Sequence, residues 1–316
     1  MKIVIFGKDG QLGNAFKEVV TSSFLLSGDN HIQFIGRAEC DLRNAVDIQN
    51  VLDRLEPDLI INAAAYTAVD RAEEDQNLVF AVNERAPRVM AHYAAIHGST
   101  LLHYSTDYVF DGAGLDPYSE DHPINPLGVY GKSKAAGEQA IVDAFFEVDN
   151  SQARYAIFRT SWVYGKGSNF IRTILRLAKE REELKVIHDQ HGVPTDASWL
   201  AKTSLALSID KQGSLQNFPS GIYHAVPAGE TTWHGLACFA LQVSLDEGVT
   251  MKTLPGFIKP IPFTEYPLPA PRPMNSRMST QKLQKTLKDL GAVSKFPMWD
   301  ELVRTYVTDL AKNQLI

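Results

Sequence analysis

Across the first half of the chain, short apolar runs alternate with longer stretches in which apolar residues recur at helical spacing. Lys2 to Phe6, Ile32 to Ile35, Leu59 to Ala63, Thr100 to Tyr104 and Tyr155 to Phe158 read as strands. Asn14 to Val20, Ala45 to Leu55, Leu78 to Ala95 and Lys134 to Phe145 read as the helices between them, and the step Glu56-Pro57 closes the second of these. Ile60, Ile61, Leu101 and Leu102 lie in continuous apolar runs, as parallel strands covered on both faces require. The pattern predicts an α/β fold: a Rossmann-like doubly wound parallel sheet.

The rhythm changes after about residue 160. Gly165 and Gly167 interrupt it, and six prolines crowd the stretch from Pro260 to Pro273. Helix-like Ala197 to Leu207 and strand-like Gly221 to Val226 point back to the sheet. The expected division is therefore discontinuous: 1–163 plus about 192–222 form the sheet domain, and about 164–191 plus 223–316 form a smaller α/β domain.

Composition narrows the function classes. In 316 residues, 31 Lys and Arg against 37 Asp and Glu give a net charge of −6, with no basic surplus for a phosphate backbone, so nucleic acid is not an expected partner. No stretch reaches the length of apolar chain that crosses a bilayer, so no membrane partner is expected either. Cys40 and Cys238 are too few for a disulfide framework, and the expected address is the cytoplasm.

The first strand runs into Gly7-Lys8-Asp9-Gly10-Gln11-Leu12-Gly13, a Gly-x-x-Gly-x-x-Gly turn that opens a helix. Glycine allows a tight turn and close approach of backbone to a pyrophosphate, and the helix start supplies N–H donors, so this is read as a dinucleotide loop. The second strand ends in Gly36-Arg37, where an arginine suits a 2′-phosphate and so favours NADPH, with NADH as a second donor. Asp41 and Leu42 follow at the adenine rim. The third strand ends in Asn62-Ala63-Ala64-Ala65-Tyr66, small side chains on which a nicotinamide could rest. Tyr130 and Lys134, four residues apart, share a helical face. A lysine ammonium beside a phenol favours the phenolate, and Thr106 at the end of the fourth strand is placed to hydrogen-bond a reacting oxygen.

These stretches, with Asn62 to Glu73, Ser105 to Gly112, Arg159 to Gly165 and Arg272 to Arg277, resemble the extended, nucleotide-sugar-modifying branch of the short-chain dehydrogenase/reductase superfamily, and within it the dTDP-4-dehydrorhamnose reductases. The resemblance implies transfer of hydride from NAD(P)H to C4 of dTDP-4-dehydro-β-L-rhamnose, with Tyr130, Lys134 and Thr106 as catalytic residues and a dTDP-sugar as substrate. It also implies that Gly10, Gln11, Leu12, Asp41, Leu42, Ala63, Ala64, Ala65 and Tyr66 lie at the cofactor, and that Thr106, Asp107, Val69, Asp70, Glu73 and Trp162 lie at the sugar. Two alternatives stay open: another nucleotide-sugar epimerase or dehydratase of the branch, and a catalytically silent binding subunit. Tyr108 stands where the dehydratases carry glutamate. Some relatives pair their subunits through magnesium held by glutamates, but Asn14-Ala15-Phe16 occupies that position here, so a homodimer would form without the bridge. His188-Asp189-Gln190-His191 lacks a third convergent ligand, and no metal is expected.

Overall fold

The computed structural model describes residues 1–22, 30–148 and 150–316. Its centre is a six-stranded parallel sheet made of β1 (Lys2–Phe6), β2 (His31–Ile35), β3 (Leu59–Asn62), β4 (Thr100–Thr106), β5 (Arg154–Thr160) and β10 (Gly221–His224), in the spatial order β10-β5-β4-β3-β1-β2. Side chains alternate between the two faces. Ile3, Ile5, Leu59, Ile61 and Leu102 pack with α1 (Gln11–Ser22) and α8 (Ala197–Ser208), while Val4, Phe6, Ile60 and Leu101 pack under α2 (Ala45–Leu55), α5 (Ala86–His97) and the later helix α6 (Val129–Val148).

The chain passes from β1 outward to β2, then crosses back to β3 on the other side of β1. This order opens a crevice between the ends of β1 and β3, where doubly wound sheets bind ligands. The strands, helices and doubly wound class expected from the pattern are present, and the longest expected helix is broken in one informative way. Before α5 the chain forms α3 (Val69–Ala72), α4 (Gln76–Phe80) and a π-helical turn over Ala81–Arg85.

Beyond the sheet, α7 (Phe170–Glu180), α9 (Trp233–Asp246) and α11 (Trp299–Lys312) enclose a separate apolar cluster built on Ile174, Leu175, Leu236, Leu241, Val303 and Val307. Short strand pairs border it: β6 (Val163–Tyr164) with β9 (Thr195–Asp196), β7 (Leu184–Ile187) with β12 (Ile258–Ile261), and β8 (His191–Gly192) with β11 (Thr231–Thr232). Prolines leave most of 259–273 without regular structure. Leu283 and Leu287 of α10 (Gln281–Asp289), together with Phe296, are buried in the sheet's α1/α8 layer. Among the described residues, no helix is long and apolar enough to cross a membrane.

One buried charge pair ties α6 to the sheet. Arg159 of β5 donates to Glu138 from Nε at 3.0 Å and Nη2 at 2.7 Å, with both side chains almost fully enclosed and the guanidinium over the Phe110 ring. Removing one partner leaves an uncompensated buried charge. We expect Glu138→Ala to lower unfolding free energy by about 3–5 kcal/mol, read from urea midpoints; a change below about 1 kcal/mol would show the pair to be energetically idle.

Candidate functional site

The glycine loop sits at the β1 end of the crevice because two of its glycines admit no side chain. Gly7 has φ +88°, and a Cβ there would lie 2.7 Å from the Ala63 carbonyl carbon; a Cβ on Gly13 would lie 2.1 Å from the Gly7 oxygen. The first contact seats the loop on the end of β3, and the second draws α1 onto β1. Both Gly7 and Lys8 donate their N–H to the Ile35 carbonyl, at 2.9 and 3.2 Å. The first-turn N–H groups of α1 have no carbonyl within the helix to accept them. Gln11 donates to the Val163 carbonyl at 3.3 Å, while its buried Oε1 has no protein partner. A glycine cradle, an orphaned amide oxygen and a helix start at the sheet's switch point together fit a dinucleotide.

The positions around this cradle divide by what their side chains already do. Leu12 lies in the core and reaches the crevice only through its backbone. Arg37 is exposed beyond β2, and Lys8 pairs there with Glu39, whose other oxygen accepts the Gly36 N–H. Asp41 holds Arg43 through both oxygens, which takes its carboxyl down to about 2, so this carboxylate is engaged by a protein cation. Leu42 packs against the core. Ala63, Ala64 and Ala65 are half-buried at the crevice wall, whereas the Tyr66 hydroxyl donates to Asp75 at 3.1 Å.

The second constellation lies at the carboxyl end of β4. Thr106 donates to Asp107 Oδ1 at 2.9 Å and accepts the Tyr108 N–H at 3.2 Å. It also lies beside the phenol of Tyr130, at the start of α6, and acts to lower that phenol's titration. Burial pushes the Tyr130 phenol above its ordinary range. Lys134, one turn on, is buried, and its Nζ meets the Tyr104 carbonyl and His103 Nε2, the latter at 3.2 Å. Burial takes the Lys134 ammonium down to about 8, with Glu138 opposing. Burial raises Tyr130, and the neighbouring Thr106 acts to lower it.

Several residues expected at the sugar make bonds within the protein. Asp107 is buried, and its second oxygen accepts the Ser276 hydroxyl, so it braces Thr106 against the 272–277 segment. Asp70 accepts Arg272 Nη2 at 2.9 Å and the Ala270 N–H at 3.2 Å. Glu73 accepts the Val129 N–H at 2.9 Å and thereby caps α6 ahead of Tyr130. Val69 begins α3 beside them. Trp162 adopts a left-handed backbone with φ +47° and stacks on Trp233 at 3.7 Å, with Gly192 against its ring edge. A large side chain in that conformation is uncommon and is maintained only by its surroundings. In the His188 to His191 stretch, the Asp189 carboxylate accepts the Phe263 N–H and His191 pairs through its backbone with Met274 and Ser276.

Three contributors were not legible beforehand. Asn83, in the π-helical turn, accepts the Tyr66 N–H, donates to the Tyr66 carbonyl and donates to Ser133, which in turn donates to the Tyr130 carbonyl. His103 looked like an ordinary strand residue, although its place three positions before Thr106 put it on the strand that carries the site. Ser276, in the quoted Arg272 to Arg277 stretch, carried no role of its own until its bond to Asp107 was seen.

Comparison with known proteins gives consistent relatives. The family described as the RmlD substrate binding domain matches residues 1–311. The dTDP-4-dehydrorhamnose reductase of Salmonella typhimurium is 39% identical over 316 residues, spanning 98% of both chains. Among solved structures, a dTDP-4-dehydrorhamnose reductase from Clostridium acetobutylicum superposes with a TM-score of 0.83 at 31% identity, covering 99% of this chain and 100% of its own. One from Bacillus anthracis, solved in complex with NADP, gives 0.81 at 31% identity, covering 98% and 99%.

Asp107 supplies a test of the bracing arrangement. Burial outweighs its hydrogen bonds and raises the carboxyl to about 6, from an unfolded value near 3.8. A carboxyl raised in the folded state favours folding below its unfolded value and loses that contribution as pH rises through the folded one. Between pH 4 and pH 7 the wild type should lose on the order of 2–3 kcal/mol of stability relative to Asp107→Asn. Urea unfolding of both proteins at the two pH values measures this difference, and parallel curves would place the carboxylate in a solvated setting.

Proposed function

The chain belongs to the family of the RmlD substrate binding domain, and we propose that it reduces the C4 ketone of dTDP-4-dehydro-β-L-rhamnose to dTDP-β-L-rhamnose, with NADPH as donor and NADH as a second one. The observation that carries this reading is the meeting of Thr106, Tyr130 and Lys134 at the carboxyl edge of a sheet whose switch point holds a glycine cradle. Oxidation of NADPH by that ketone, with the product identified as dTDP-β-L-rhamnose, tests it. The relatives' printed name, and the NADP in the Bacillus anthracis structure, support the substrate and the cofactor.

Gly7, Gly10 and Gly13 would take the pyrophosphate against the start of α1, Gln11 would contribute its free Oε1, and Ala63 to Ala65 would line the nicotinamide end. When bound, NADPH supplies a hydride to C4. Reduction leaves negative charge on the C4 oxygen, and the site must deliver a proton there. Tyr130 does this: its partly buried side chain is kept as the neutral phenol, and its O–H bond breaks as the sugar alcohol forms. Thr106 lies beside the phenol, and Asp107 and Ser276 fix Thr106. Lys134, held by the Tyr104 carbonyl, would bind the nicotinamide ribose. Trp162 on Trp233 forms an aromatic wall at the sugar end. The two free thiols, Cys40 and Cys238, suit a reducing compartment such as the cytoplasm.

Tyr130→Phe should lower kcat by roughly 10²–10⁴-fold while NADPH affinity stays within about threefold, under 1 kcal/mol, because the ring remains and only the proton is lost. Turnover with the keto-sugar nucleotide and cofactor binding by fluorescence quenching check the two halves; near-normal turnover would remove Tyr130 from the proton transfer. Lys134→Met should weaken both, and an effect on one alone would leave the lysine with a single role.

A further inference from the structure

Beside the aromatic wall runs the stretch from His188 to His191, its backbone pinned at both ends. The His188 N–H donates to the Ile261 carbonyl at 3.0 Å, and the Asp189 carboxylate accepts the Phe263 N–H at 2.9 Å. The His191 N–H donates to the Met274 carbonyl at 2.9 Å, and its own carbonyl accepts the Ser276 N–H at 2.8 Å. Gln190 sits between these anchors. It is 5% exposed, yet its buried Nε2 has no protein partner. A donor enclosed without an acceptor is costly, and native structures keep few of them. Asp189 is engaged by Phe263, and the His188 and His191 side chains are exposed, which leaves Gln190 as the enclosed polar group of the stretch.

Two features of the backbone fix the side on which this amide lies. From Gln190 to Gly192 burial alternates, buried, exposed, buried, which is the period of an extended chain, so Gln190 and Gly192 share a face. On that face a Cβ at Gly192 would lie 2.6 Å from two ring carbons of Trp162. The pairing with β11 agrees. His191 stands opposite Thr232 in antiparallel register, which carries Gln190 toward Trp233, the residue stacked on Trp162. On its other edge His191 bridges to Asn275, whose neighbour Ser276 holds Asp107, and Asp107 accepts the Thr106 hydroxyl. The amide thus has the Trp162 wall on one side and the segment that braces Thr106 on the other.

We propose that Gln190 is a specificity-determining residue whose amide donates a hydrogen bond to the C3 hydroxyl of the sugar, the group beside the reacting ketone. The inference deepens the reductase reading and rests on it, because only that reading sets the sugar between Trp162 and Thr106. Of the two ring carbons next to C4, C5 carries the methyl group and C3 the hydroxyl, so a polar group enclosed at this end meets C3. The indole of Trp162 offers an apolar face to the ring's C–H bonds and cannot read a hydroxyl; the amide can. Because the backbone on each side of Gln190 is already fixed, little ordering remains to be done on binding. A substrate that lacks the hydroxyl leaves the amide unpartnered, and is rejected for that reason.

The test compares dTDP-4-dehydro-β-L-rhamnose with its 3-deoxy analogue, by NADPH oxidation, in the wild type and in Gln190→Met, which keeps the length of the side chain without its polar end. The wild type should favour the hydroxylated substrate by about 10–100-fold in kcat/KM, the range set by leaving an enclosed donor unpartnered. In Gln190→Met this preference should shrink by about tenfold or more, with the deoxy analogue reduced at least as well as by the wild type. The hydroxyl's own influence on the ketone is common to both proteins and cancels between them. A merely structural role would slow both substrates alike and leave the preference unchanged, and that result overturns the proposal. A wild type that reduces the two substrates equally overturns it too, and needs no variant to fold. Gln190→Asn, which draws the amide back by one methylene group, should shift the preference the same way and serves if the methionine variant does not fold. Titration calorimetry on the NADP-loaded proteins reads the same bond without turnover: Gln190→Met should bind dTDP-β-L-rhamnose about tenfold more weakly and dTDP equally well, and unchanged binding of the sugar nucleotide counts against the proposal. If the wild type oxidises NADPH with neither substrate, the reductase reading itself fails, an outcome distinct from a missing preference between substrates that both react.

Discussion

Everything the site does depends on how closely α6 can approach the edge of the sheet. Two glycines set that distance: a Cβ on Gly131 would lie 2.2 Å from the Tyr108 oxygen, and one on Gly137 would lie 2.1 Å from the Asn83 oxygen. With backbone against backbone at both points, the side chains beside and between them are carried inward, so Tyr130 comes beside Thr106 and Lys134 reaches the Tyr104 carbonyl. The same approach buries Glu138 against Arg159. A helix held farther out by even one methyl group would leave the phenol and the lysine short of the strand, and the crevice would keep its shape without its chemistry.

Around this contact the polar groups form two braces with different tasks. Glu73, Asp70 and Asn83 fix the entrance to α6 and the 270–272 segment, while Asp107 and Ser276 fix Thr106 from the opposite side. Each brace crosses between segments distant in the chain, so local sequence says little about it. Both use carboxylates or amides that are hydrogen-bonded at each end, as groups enclosed at the base of a ligand crevice must be. Preorganisation of this kind lets a phenol wait in its proton-bearing form beside the place where charge develops.

How much of this was legible follows from which interactions are local. Continuous apolar runs at Leu59 to Ala63 and Thr100 to Tyr104 announced parallel strands, because burial on both faces writes itself into consecutive residues. The glycine turn after β1 and the Tyr130/Lys134 pair were visible for the same reason, since spacing within one element carries them. The bonds that Asp70, Glu73 and Asp107 make within the protein were not, because their partners lie far away in the chain. Helices α7, α9 and α11 went unread because the glycines and prolines around them drew attention to the breaks between elements. His103 and Asn62 were silent as chemistry, because their contact with each other joins two strands and only packing reveals it.

The central claim is that this crevice brings a reduced nicotinamide to C4 of a keto-sugar nucleotide while Tyr130 supplies the proton. Incubation with NADPH deuterated at C4 of its nicotinamide, followed by NMR of the sugar nucleotide formed from dTDP-4-dehydro-β-L-rhamnose, examines it most directly. The account predicts one deuterium at C4 of the rhamnosyl ring for each NADPH oxidised. Deuterium at any other carbon, or a changed sugar formed without net loss of NADPH, would contradict it.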